Sequence, residues 1–235
     1  MILLFAAALA AAAPCPTDAT ASAYVCHALA AQHAGRHGDA AGLFEQAAAT
    51  SLQGDLEQVR MLAAAGNLWI AAGQPAKAAV ALDKALAMNK LDPVQRGLAV
   101  LDRARAAEAQ GDLKTARAKV TEAAKTIAED PYLWFFSAAL AVREEDIPTA
   151  KSAINRALAL APDSPEVMFE AGHVAKAAGE DAKARDYWTS AAAADPKGPA
   201  GRAARGALAL MEVPLTVTGQ VATRPDGDGE GPKDQ

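Results

Sequence analysis

One short pattern recurs five times along the chain: an alanine, three residues, a large apolar residue, two residues and a second alanine. The copies are Ala40/Phe44/Ala47, Ala78/Leu82/Ala85, Ala116/Val120/Ala123, Ala150/Ile154/Ala157 and Ala184/Trp188/Ala191, spaced by 38, 38, 34 and 34 residues. Self-similarity at such a period is the mark of a repeat array, in which each unit buries its apolar face against the next. Upstream of the pattern lies a second apolar stripe at i, i+3, i+4, i+7, as in Leu62/Ala65/Gly66/Trp69 and Met168/Ala171/Gly172/Ala175. That spacing lines one face of a helix, so each unit reads as a pair of amphipathic helices. Turn residues separate the two stripes: Gly73-Gln74-Pro75, Gly111-Asp112, Asp146-Ile147-Pro148 and Gly179-Glu180-Asp181. Asp or Pro there suits a helix start, and Pro162 and Pro196 close the second helices of the last two units.

Composition agrees. Much of the 51% hydrophobic fraction is alanine and aromatics are only 5%, which favours close-packed helices over sheet. The formal charge of -5 leaves no basic footprint for a phosphate backbone, so nucleic acid is not an expected partner.

The repeated residues resemble the tetratricopeptide repeat (TPR) family, over roughly residues 21 to 196. The fifth copy matches best: Gly172, Ala175, Gly179, Ala184, Trp188, Ala191 and Pro196 all carry the family's preferred residue types at its spacing. His27, Arg103 and Glu145 depart from it, the last standing where a turn glycine is usual. The resemblance implies an all-α, right-handed α-solenoid with units at about 21–54, 55–92, 93–130, 131–164 and 165–196. The two 38-residue periods call for an extra helical turn or a longer loop near Ser51 to Leu56 and Asn89 to Asp92. Residues 197–211, containing AGRAARGALALM, read as a helix that caps the open end of the stack.

In TPR proteins the first helix of each pair lines a concave face. The resemblance therefore implies a peptide groove formed by Arg60, Asn67, Leu101, Arg105, Tyr132, Phe135, Arg143, Phe169, His173 and Lys176, with Val25, Leu29, His33, Ala63, Ile70 and Glu108 beside them. Apolar and aromatic side chains with one basic residue in each of units two to five suit a protein or peptide partner with apolar anchors, an acidic segment being the preferred class. An ordinary solvated face is the competing reading. Asn67 alone does not make the carboxylate clamp of co-chaperone TPR proteins.

At the start of the chain, Ile2 to Ala13 is an uncharged apolar run ending in small residues. It reads as a secretory signal peptide (residues 1–13), too short to span a bilayer, followed by an arm at 14–20. A bacterial protein of the periplasm, with no membrane span in the mature chain, is expected; if the run is instead a buried helix, the protein is cytoplasmic. Cys15 and Cys26 fit a disulfide in an exported chain, with free thiols or lipidation of Cys15 as alternatives. From Val213 the apolar periodicity stops and Arg224 to Gln235 are rich in Gly, Pro and acid, so residues 212–235 read as a disordered tail.

No nucleophile elbow, P-loop, dinucleotide fingerprint or zincin helix is present in the sequence, and no cofactor is expected. His33 and His37 are four apart, but Gly35 between them marks a turn, so no metal site is expected. Trp69, Trp134 and Trp188 fall on inner stripes and read as packing residues, while Glu144 and Glu145 read as a solvated helix end. The chain thus reads as a non-catalytic adaptor. A self-associating structural element, or a metal or haem chaperone acting through Cys26, His27 and the nearby histidines, are the alternatives.

Overall fold

A computed structural model describes residues 15–212. The apolar run and the acidic tail from Val213 lie outside the described residues. Eleven helices and no strand are found among those described: α1 (Ala21–His33), α2 (His37–Thr50), α3 (Leu56–Ala71), α4 (Pro75–Ala87), α5 (Pro93–Ala109), α6 (Leu113–Ala123), α7 (Pro131–Arg143), α8 (Ile147–Leu160), α9 (Pro165–Ala177), α10 (Asp181–Ala194) and α11 (Pro199–Glu212). None is long and apolar enough to cross a membrane.

Local chemistry sets the boundaries. Every first helix of a pair begins at a side-chain cap that accepts from an early backbone N–H: Thr20, Asp55, Asp92, Asp130 and Ser164. Proline stands in the first turn of α4, α5, α7, α8 and α9, where its missing N–H costs nothing. Within four of the pairs a glycine at positive φ turns the chain from first helix to second. In the fourth pair Glu145 takes the same left-handed conformation at φ 59°, so the turn is imposed by packing on a residue that disfavours it. The extra residues of the 38-residue units lengthen the first helices: α3 and α5 run 16 and 17 residues, against 13 for α1, α7 and α9.

Successive helices pack against one another, and first helices also touch across units, α3 on α5, α7 on α9 and α9 on α11. The core is a row of apolar clusters strung along the array rather than one centre. Leu82, Leu133 and Leu140 are fully buried, each contributing roughly 1.5–3 kcal/mol relative to exposure. Trp69 and Trp188 are buried, and Trp134 is half-buried with its Nε1 donating to the Ala128 carbonyl at 2.7 Å. Close approach is specified at two glycines. A Cβ on Gly66 would meet Leu82 at 2.4 Å, and one on Gly172 would meet Trp188 at 2.2 Å, so the large residue of the second helix seats directly on the first helix's backbone.

The polar departures from the repeat pattern find partners. Arg103 donates to Asp83 of the preceding unit at 2.8 Å, and His27 Nε2 lies 2.9 Å from the Pro16 carbonyl. Cys15 and Cys26 are joined by a disulfide, Cα to Cα 5.6 Å, tying the arm to α1. Glu144 is not simply a solvated end: it accepts from Arg117 Nε at 2.9 Å, and Arg117 also donates to the buried Ser137 hydroxyl.

Candidate functional site

The first helices α3, α5, α7 and α9 present side chains that no second helix covers. On α5, Leu98 is 42% exposed and on α7 Tyr132 is 40% exposed, with the Phe135 ring stacked on Tyr132 at 5.4 Å between centroids. Between α3 and α5 lies a hollow of about 250 Å³, with Ala63, Ala64, Leu91, Leu98 and Ala99 as its apolar walls and Arg60, Asn67, Gln95 and Asp102 at its polar rim.

A ladder of polar contacts crosses this face from unit to unit. Asn67 Nδ2 donates to Asp102 at 2.9 Å, and the other oxygen of Asp102 accepts from Arg105 at 2.8 Å. The Arg105 guanidinium sits 5.5 Å from the Tyr132 ring centroid, within cation–π range. Burial of the Tyr132 hydroxyl raises its pKa, opposed by the positive charge of Arg105. Arg143 reaches back to Glu108, Arg60 pairs with Glu57 at 3.1 Å, and Lys176 pairs with Asp181 at 2.9 Å. Each cation of the expected groove is therefore matched by a carboxylate. Such exposed pairs are worth little to stability, yet they cancel the positive field that an acidic ligand would need.

At the α9 end, Phe169 meets His173 edge-on at 4.5 Å and His173 meets Trp188 at 5.3 Å. Desolvation there lowers the His173 pKa and pushes Glu170 up to about 7.

Leu101 requires correction. At 2% exposed it belongs to the core cluster of α5 to α7, with Phe135 packed against that cluster, and it cannot line a groove. It is buried in the cluster built from α5, α6 and α7, and the exposed leucine of α5 is Leu98. The signal for Leu98 was present: it stands 38 residues after Arg60 and 34 before Tyr132, the unit spacings themselves. Asp102, Gln95 and Glu170 were likewise missed, because their roles depend on which neighbouring helix faces them. Among the described residues no group of three His, Cys, Asp or Glu side chains could hold a metal ion. Cys26 is bonded to Cys15 and so offers no free thiol, and His27 Nε2 lies against the Pro16 carbonyl.

The chain has the tetratricopeptide-repeat fold, an α-solenoid of helix pairs. It is similar in structure to PilW, a widely conserved type IV pilus biogenesis factor, at a TM-score of 0.65 and 18% identity, over 77% of this chain and 81% of that one. Similar too are TTC0263, a thermophilic TPR protein of Thermus thermophilus (TM-score 0.62, 20% identity, 81% and 99% covered), and YrrB, a TPR protein with an unusual peptide-binding site (TM-score 0.56, 16% identity, 80% and 92% covered). By sequence the chain matches no protein-family model and no curated protein.

Proposed function

We propose that this protein is a non-catalytic scaffold of the bacterial envelope that holds a peptide segment of another protein against the face formed by α3, α5 and α7. The observation that carries this reading is the exposed pair Leu98 and Tyr132, with the half-buried Phe135 ring stacked on Tyr132, beside a hollow walled by alanines and leucines, on a surface whose charges are already paired. Apolar anchors therefore dominate recognition. A carboxylate in the segment would have to displace Asp102 or Glu108 from its arginine, so the acidic preference suggested by sequence is secondary. The fold likeness to a TPR protein with a peptide-binding site is consistent with a groove of this kind. An exported setting is supported by the apolar run Ile2 to Ala13 and by the Cys15–Cys26 disulfide, since such bonds persist in oxidising compartments.

The test is photocrosslinking in the native cell from a probe at Phe135, with the captured protein identified by mass spectrometry. One dominant envelope protein is expected, its yield falling at least about tenfold in Leu98→Glu, because a charge would be buried against an apolar anchor. Arg105→Glu with Arg143→Glu should have the smaller effect. Undiminished capture in Leu98→Glu, with an unchanged melting temperature, overturns the groove.

A further inference from the structure

The last helix is more than a lid. Pro131, Pro165 and Pro199 are each 34 residues apart, and each opens a helix, α7, α9 and α11. In repeat register α11 is therefore the first helix of a sixth unit. It docks on the array through buried Ala200, Gly201 and Ala204, and so closely that a Cβ on Gly201 would collide with the Asp195 carbonyl.

Its other face tells against a purely solvated cap. Met168, Ala171, Gly172 and Ala175 of α9 form the stripe that α10 covers, with Trp188 seated on Gly172. The same register in α11 gives Arg202, Arg205, Gly206 and Ala209, and all four are exposed. A Cβ on Gly206 would meet nothing within 4 Å, although glycine at this place in units two and five makes room for Leu82 and Trp188. Leu210 stands beside the stripe at 77% exposed. Glycine in an uncovered helix interior is unfavourable, so a face that only met water would do better with alanine.

We propose that the Arg202/Arg205/Gly206/Ala209 stripe is a docking site for an amphipathic helix of a different protein, which completes the sixth repeat in trans. The occupant's chemistry follows from the other units: 11–14 residues long, as the array's own second helices are, with a large apolar residue between alanines to seat over Gly206. It also carries carboxylates facing Arg202 and Arg205, which have no ion-pair partner among the described residues. Charge argues against a second copy, because two such faces would bring four arginines together. Residues 213–235 do not fit the occupant either, since they hold a single alanine, Ala222, and so no copy of the alanine–large–alanine spacing.

The test places p-benzoylphenylalanine at Leu210 of the full chain at native expression and maps the crosslinked residues. A crosslink within a segment of another protein that has the alanine–large–alanine spacing and a carboxylate one turn away supports the site. Its yield should fall at least about tenfold in Gly206→Leu, which puts a side chain where the partner's large apolar residue would seat, and in Arg202→Glu with Arg205→Glu, which reverses the charge. Leu98→Glu, on the other face, should leave it unchanged, so this site and the groove fail separately. Thermal melting controls for folding, and Gly206→Leu should not lower it. Crosslinks to residues 213–235, to a second copy or to nothing, or a yield indifferent to Gly206→Leu, overturn the proposal.

Discussion

Replacing Gly172 by alanine and Gly206 by alanine is one chemical change made twice at the same place in the repeat, and the structure gives the two opposite signs. Each substitution gains helix propensity worth about 1 kcal/mol. At Gly206 nothing opposes that gain, because no atom lies within 4 Å of the new methyl. At Gly172 the methyl would stand 2.2 Å from Trp188 Nε1 and 2.4 Å from Cδ1. The indole cannot simply swing aside: its Nε1 donates to the Phe169 carbonyl at 3.0 Å and the ring is buried. Overpacking of this kind costs about 1–3 kcal/mol, and the rigidity of the ring places it toward the upper end, for a net loss of about 1–2 kcal/mol. For a chain of this size 1 kcal/mol is about 2–4 °C, so Gly172→Ala should melt about 2–8 °C lower and Gly206→Ala about 2–4 °C higher than the parent. Circular dichroism melts of the three proteins side by side make the measurement. Equal shifts of one sign would refute the seating of Trp188 on the α9 backbone and, with it, the repeat register assigned to α11.

Glu145→Gly should stabilise by about 0.5–1 kcal/mol, since relief of a left-handed φ outweighs the added freedom of the unfolded chain; a fall in the urea midpoint would contradict the strain. Glu170 ionises near 7 when folded against 4.5 as its ordinary value, so the folded state binds the extra proton between those values and stability falls as pH rises from about 4.5 through 7. Glu170→Gln should therefore be more stable than the parent at pH 8 and lose that advantage by pH 4.5, and a gap independent of pH would rule out burial as the cause. Removing residues 199–235 should uncover the Trp188 cluster and destabilise or aggregate the array, whereas removing only 213–235 should not; equal melting of the two truncations would deny α11 a capping role.

What could be read from sequence had a local cause. The alanine–large–alanine pattern, the turn glycines, the Asp caps and the first-turn prolines act within one helix or one turn, so their spacing reports the helix pairs directly. Even the misfit at Glu145 was visible, although only packing on both sides explains why the turn forms there. The candidate groove was less legible. Leu101 and Leu98 lie three apart on one helix, and which of them faces solvent depends on how the neighbouring helices pack around α5. Likewise only the fold brings Glu108 to Arg143, 35 residues along the chain, whereas Asp102 and Arg105 are three apart on one helix.

By itself, then, the amino-acid sequence determined the helical repeat and its period, because burying one apolar stripe per helix is a requirement each unit meets with its own residues and nearest neighbours. Tertiary structure alone decided which side chains remain uncovered and that Arg143 meets Glu108, whereas Arg60 and Arg105 pair with carboxylates three residues away on their own helices. Those outcomes depend on contacts across units, Asn67 with Asp102 and Glu108 with Arg143 each 35 residues apart, and on a stripe around Gly206 that stays open because no second helix follows α11 among the described residues.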